Sequence, residues 1–206
     1  MTERTASPPA VRDRRVRAAL DGGPAGRGLP DGLLAARAAE GDEGAFSVLV
    51  LRHRLSLLAL ARGLLGNAED AEEAVQDAFV SAWRRLPEYR HGAEFHTWMH
   101  RITVNRCLTM RRRRPSTLSL DIVVEPAAGD PGSQPSRSAE QQAATVALSH
   151  ALADLDAGQR VCWVLREMQG LSYREIACVT RTSEPTVRGR LSRARRSLQD
   201  TMGPWR

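Results

Sequence analysis

The sequence has no lysine. Its 30 basic residues are all arginine, and against 24 acidic residues they leave a formal net charge of +6. With so much Ala and Gly, this bias fits a GC-rich genome, so the positions of the arginines carry more information than their number. Aromatic residues are scarce, at 4% of the chain. Cores must therefore be built from Ala, Leu and Val, which suits packed helices better than sheets. Three cysteines (Cys107, Cys162, Cys178) lie far apart with no Cys-x-x-Cys, which predicts reduced, buried thiols and no structural zinc. No apolar run approaches the ~18 residues that cross a bilayer, so membrane insertion is not expected. Met1 to Arg17 is polar and Arg-rich, so no secretory leader is expected and the cytoplasm is the expected location. There is no Gly-rich phosphate loop and no Cys–His catalytic pattern. His96 and His100 stand at i, i+4 without a third ligand at suitable spacing. Neither an enzyme, a metal nor a cofactor is expected.

What remains is helical pattern. The 206 residues allow one or two domains at ~150 residues each. Residues 1–30, rich in Pro, Gly, Ala and Arg, read as a disordered arm. Residues 31–114 read as a helical domain. Its first stripe is Phe46, Leu49, Val50, His53, Leu57, Leu60, Leu64, closed by Gly66. Asn67 caps a second helix carrying Ala71, Ala74, Val75, Ala78, Phe79, Ala82 and Trp83, which Pro87 ends. After a loop, Glu88 to Glu94, a third helix runs from Phe95 into Arg111 to Arg114 and stops at Pro115. Residues 115–137 read as a flexible acidic linker. Residues 138–206 read as a second helical domain. It has capping boxes at Ser138–Gln141 and Ser172–Glu175, helix starts at Asp156 and Ser183, and stops at Gly170 and Gly203-Pro204. The expected fold is all-α: two small helical domains and no strand.

Three groups of residues carry chemistry. The short helix after Ser172, a tight turn and a longer helix from Ser183 have helix-turn-helix spacing. The longer helix holds Arg188, Arg190, Arg193, Arg195 and Arg196. Its apolar stripe, Val187, Leu191, Ala194 and Leu198, faces inward, so the arginines should face outward, toward a major groove. The second group is the third helix. It carries six arginines and no acid between Arg101 and Arg114, preceded by Phe95, His96 and Trp98. Rings beside arginines suit unstacked single-stranded bases, although by residue type Trp98 fits a core position better. The third group is acidic: Glu69, Asp70, Glu72, Glu73 and Asp77, with Gln76 among them. Five acids in nine residues exceed what a helix N-terminus needs, and suggest a docking surface for a basic protein.

These segments resemble a known family. Asp70-Ala-Glu-Glu-Ala-Val-Gln-Asp-Ala-Phe79 with Ser-Ala-Trp83 is similar to region 2.2 of bacterial sigma factors. Phe95-His-Thr-Trp98-Met-His-Arg101-Ile-Thr-Val-Asn105 and the arginine run resemble regions 2.3 to 2.4. Gln159-Arg160 to Glu167 with Gly170-Leu-Ser-Tyr-Arg-Glu-Ile-Ala177 resembles region 4.1. Thr186-Val-Arg-Gly-Arg-Leu-Ser-Arg-Ala-Arg195 resembles the region 4.2 recognition helix. With no intervening region 3, the layout is that of the extracytoplasmic-function (ECF, group 4) subfamily of the sigma-70 family.

The resemblance implies partners and roles. Asp70, Glu73, Gln76, Asp77, Phe79 and Trp83 would dock on core RNA polymerase. Glu88, Tyr89, Phe95, Trp98, Arg101, Asn105, Arg106 and Arg112 would meet the −10 DNA. Ser172, Tyr173, Thr186, Arg188, Gly189, Arg190, Ser192, Arg193 and Arg196 would meet the −35 DNA. An anti-sigma factor is implied as a further partner. Arg181 sits where the family's turn usually has Gly, so a left-handed backbone or a different turn is expected there. The alternative function is a stand-alone helix-turn-helix regulator that does not join the polymerase. Such a regulator would need neither the acidic helix nor the first domain.

Overall fold

The computed structural model describes residues 28–89, 94–113 and 135–202, with backbone only for 135–142. The expected arm, the Arg90–Ala93 part of the loop, most of the linker and the Gly203-Pro204 stop lie outside the described residues. Every described element is a helix, and local chemistry accounts for most of the ends. Helix α1 is Asp31–Ala39 and α2 is Glu43–Leu65. The Asp42 side chain accepts from Ala45 N at 2.9 Å, and this bond holds its carboxyl below the usual range. Gly66 ends α2 in the left-handed region, with φ 74°. Asn67 caps α3 (Ala68–Arg85) through Asp70 N, and a 3₁₀ turn, Leu86–Glu88, closes it at Pro87. Helix α4 is Phe95–Arg113.

The second unit begins with α5 (Pro135–Asp154), three residues before Ser138. Ser138 is therefore not the N-cap, and Pro135 takes the first-turn position where its missing N–H is harmless. Asp156 caps α6 (Ala157–Trp163). The chain then winds into a π turn over Val164–Met168 instead of continuing the α-helix. The capping box of Ser172 and Glu175 opens α7 (Tyr173–Thr180), and Ser183 caps α8 (Glu184–Thr201). Arg181 adopts φ 52° and ψ 46°, the left-handed conformation expected at that turn.

One apolar cluster runs through both units: Leu57, Leu60 and Leu64 of α2 belong to the same core as Val164, Leu165 and Ile176. A smaller core joins Ala151, Leu152 and Leu155 to Ala194 and Leu198. Gly63 makes the close approach possible, since a Cβ there would lie 3.1 Å from Val164 Cγ1. Helix α2 also corrects one expectation. With a mean hydropathy of 1.4 it is, by length and composition, the one described helix able to cross a membrane. Its apolar stripe instead packs against α1, α3 and α4, and Arg52 and Arg54 stand at its middle. Cys178 is a second correction: Cys107 and Cys162 are buried, but Cys178 is exposed on α7. Burial pushes the Cys107 thiol up to about 12, so it stays protonated and inert.

Arg160 joins the units at depth. It is 4% exposed and donates from Nη1 to Leu64 O at 3.1 Å and from Nη2 to Ala153 O. Replacing Arg160 with Met strands both carbonyls in an apolar site, at about 1–3 kcal/mol each. The R160M chain should lose about 2–4 kcal/mol in urea unfolding with an unchanged m-value. A midpoint equal to wild type contradicts this assignment.

Candidate functional site

The acidic segment sorts into two faces once α3 is in place. Asp70 is 9% exposed and turned inward, so it does not sit on the outer surface expected of a docking residue. Glu73 and Asp77 converge on Arg106 of α4, at 3.1 and 2.5 Å. Arg106, expected at the −10 DNA, is thereby held in an ion-pair cluster with α3. Glu69, Glu72 and Gln76 remain at the outer face. Beside them α2 and α3 enclose a groove of about 510 Å³. Phe46 and Val50 line it from α2, Phe79 and Trp83 from α3, and Arg54, Glu72 and Gln76 supply its polar lining. Phe46 meets Trp83 at a ring-centroid distance of 4.9 Å. The sequence stripe accounted for Phe79 and Trp83 but missed the groove.

On α4, Phe95 and Trp98 are both buried. They form an aromatic cluster with Tyr89, with centroid distances of 5.1 to 5.8 Å. Neither ring is presented to a base in this arrangement, and the core alternative for Trp98 holds. Tyr89 stays half-exposed at the edge of the cluster, and burial is the first cause raising its hydroxyl above the ordinary 10. Asn105 and Arg112 are exposed and Arg101 is half-exposed, giving α4 a basic outer side. Glu88 is exposed in the turn preceding it and lies 3.6 Å from Arg85.

The helix-turn-helix forms as expected, with one redistribution of its arginines. Thr186, Arg188, Ser192, Arg193 and Arg196 are exposed on α8. Gly189 lies under the Arg193 guanidinium, where a Cβ would meet it at 3.6 Å. Arg190 corrects the outward assignment: it packs on α6, against Gly158 and toward Cys162. Arg195 is exposed and pairs with Glu167 at 2.8 Å. Tyr173 at the start of α7 is half-exposed between two guanidiniums, Arg166 at 5.1 Å and Arg188 at 5.8 Å from its ring. Cation–π contact thus orients Arg188 at the N-terminal end of the presented face.

The two units meet through polar contacts invisible in the sequence. Ser56 of α2 donates to Gln169 Oε1 at 2.5 Å, and His96 of α4 lies 3.1 Å from Glu175 Oε1 of α7. Ser172 and its backbone N–H are the main causes holding the Glu175 carboxyl below 4.5, with His96 a lesser one. These contacts put α7, the first helix of the helix-turn-helix, directly against α4. His96 and His100, the pair considered for a metal, are both occupied by these protein contacts.

Comparisons with known proteins follow the same division. The family model for Sigma-70 region 2 matches residues 49–117, and that for Sigma-70 region 4 matches residues 145–198. The chain is 38% identical to the ECF RNA polymerase sigma factor SigM of Mycobacterium tuberculosis, over 83% of each chain. It is 32% identical to the RNA polymerase sigma-H factor of Pseudomonas aeruginosa, over 84% of this chain and 94% of that one. It is 30% identical to the ECF RNA polymerase sigma-E factor of Escherichia coli, over 85% and 96%. Among solved structures it is similar to CnrH in complex with the cytosolic domain of CnrY (TM-score 0.66, 32% identity, 84% of this chain and 97% of that one). It is also similar to the sigma factor RpoE bound to the anti-sigma factor NepR from Bartonella quintana (TM-score 0.59, 27% identity, 77% and 96%).

The contact between the units is titratable. His100 is buried on α4, its Nδ1 donates to His96 O at 2.6 Å, and its Nε2 lies 3.3 Å from Gln169 Oε1. Burial, the largest cause, holds its pKa below 6.5, and the charges of His96 and His53 lower it further. The unfolded chain therefore takes up this proton first, and stability falls as pH drops from 6.5 through the depressed native value. Above 6.5 the contribution is complete and flat. Urea midpoints between pH 7.5 and 5 should fall more steeply for wild type than for H100Q, which cannot titrate. Parallel profiles would remove His100 as the cause.

Proposed function

The chain belongs to the ECF subfamily of the sigma-70 family of RNA polymerase sigma factors, and from that premise we propose how its surfaces divide the work. It binds the core polymerase and brings it to promoters. We assign core docking to the outer face of α3 and its groove: Glu69, Glu72, Glu73, Gln76 and the Phe79–Trp83 edge. Residues 31–114 would form the unit that holds the −10 element, with Tyr89, Arg101, Asn105 and Arg112 on its DNA side. Residues 138–206 would read the −35 element through Thr186, Arg188, Ser192, Arg193 and Arg196. Phosphate contacts supply affinity there, and base-edge contacts supply choice. The chain contributes recognition, in the cytoplasm, while the polymerase carries the catalytic groups.

The observation that carries this reading is the pairing, in one chain, of an acidic groove-bearing face on α3 with a helix-turn-helix presenting exposed arginines. A stand-alone regulator has use for the second but not the first. Relatives of this fold have been solved with CnrY and with the anti-sigma factor NepR. We propose a protein inhibitor for this chain as well.

The helix-turn-helix packs against α4 here through α7, whereas the two promoter elements lie roughly two turns of duplex apart, ~70 Å. The units therefore have to part before both elements are engaged. The test is a pulldown and run-off transcription with purified core polymerase. Reversing Glu72 and Glu73 to Arg should weaken core binding at least tenfold, since like charge at a rim acts on association. Arg188→Ala with Arg193→Ala should leave core binding intact and cost about 1–3 kcal/mol in promoter discrimination for each base pair no longer read. Tight promoter binding without core, and no binding to core, would establish the stand-alone regulator instead.

A further inference from the structure

The α2–α3 groove has an unusual border for a surface that spends time without polymerase. Leu55 is 74% exposed, Leu51 52% and Val80 44%. Val80 lines the groove, and Leu51 and Leu55 extend the exposed apolar strip along α2 beyond it. Glu69 and Glu72, on the same side, have no ion-pair partner among the described residues. Arg52 donates to Leu29 O at 2.8 Å and pairs with Asp31, so the start of the described chain is fixed on α2. At about 100° per residue, Leu51 and Leu55 fall between the Arg52 side of α2 and the Val50–Arg54 side that opens on the groove. The 27 residues that precede Gly28 therefore join the described chain on the side of α2 next to the strip. Ten of them extended would span ~30 Å, against a helix diameter of ~10–12 Å.

The composition of that segment matches the surface. It carries six arginines (Arg4, Arg12, Arg14, Arg15, Arg17, Arg27) against three acids (Glu3, Asp13, Asp21). Four of those arginines interleave with Val11 and Val16 just before Leu20. Glu69 and Glu72 offer the opposite charge and the groove offers the apolar site, with Arg54 the one basic residue in its lining. We propose that residues 1–27 dock on the α2–α3 groove of their own chain, with Val11, Val16 and Leu20 on the apolar strip and Arg12 to Arg17 against Glu69 and Glu72. A short tether gives a local concentration of about 1 mM, so a segment with an intrinsic Kd of ~0.1 mM covers the groove about nine-tenths of the time. A competitor for the same face then binds about tenfold more weakly. That last consequence rests on the assignment of the groove to core docking. The N-terminal segment acts as a self-cover that polymerase must displace.

The test uses the full chain. In a Cys178→Ser background, a nitroxide on Ala10→Cys should broaden the methyl resonances of Leu51, Leu55 and Val80 selectively. Glu69→Arg with Glu72→Arg should abolish that broadening. Reversing Arg12, Arg14, Arg15 and Arg17 to Glu should raise core affinity about tenfold. Uniform or absent broadening overturns the proposal. So does broadening that appears only between labelled and unlabelled chains, which would assign the strip to a second copy. Selective broadening with unchanged core affinity upholds the self-cover and instead refutes core docking at this groove.

Discussion

A single buried cation ties the molecule together. Among the described residues, no carboxylate hydrogen-bonds to Arg160. Its two bonds go to carbonyls in the last turns of α2 and α5, where the helix macrodipole places partial negative charge. Two helix ends thus stand in for a counter-ion. Burial still lowers the guanidinium to about 10, which leaves it charged at neutral pH. Its Nε atom has no partner among the described residues, so the site is adequate without being saturated. Because the two carbonyls belong to different units, the cation can be satisfied at both only while those units are together.

The remaining contacts inherit that constraint. With α6 anchored at Leu64, the π turn lands on Gly63, and Gln169 at its end reaches Ser56 and His100. Glu175 then serves twice, capping α7 through Ser172 and meeting His96 of α4. The arrangement seats the helix-turn-helix on α4 through α7 while leaving Glu69, Glu72 and Gln76 of α3 exposed. The surfaces proposed for core docking and for promoter reading are separated in space, and on this proposal only the second requires the units to move apart.

Much of this was legible where the cause is local. The caps at Asn67, Asp156, Ser172 and Ser183 are side chains bonding to N–H groups two or three residues on. The stripes of α2 and α8 follow from helical period, and the left-handed Arg181 follows from the turn it occupies. What depends on distant partners was not legible. Asp70 reads as one more surface acid until α3 is rotated into place. Arg190 reads as one more recognition arginine until α6 packs beside it. Arg160 and Gln169 carry no signal at all, since their partners Leu64 and Ser56 stand 96 and 113 residues away. By residue type Trp98 fits a core better than a base platform, and Phe95 and Trp98 are both buried.

The central claim is that the closed contact between units has to open for promoter use. Gly63 and Val164 allow a direct test, because a Cβ at Gly63 would stand 3.1 Å from Val164 Cγ1, within reach of a disulfide. Gly63→Cys with Val164→Cys, in a Cys178→Ser background, locks the units together when oxidised. Run-off transcription with core polymerase should be lost in the oxidised chain and restored by reductant, with core pulldown retained in both states. Equal run-off from the oxidised and reduced chains would contradict the account.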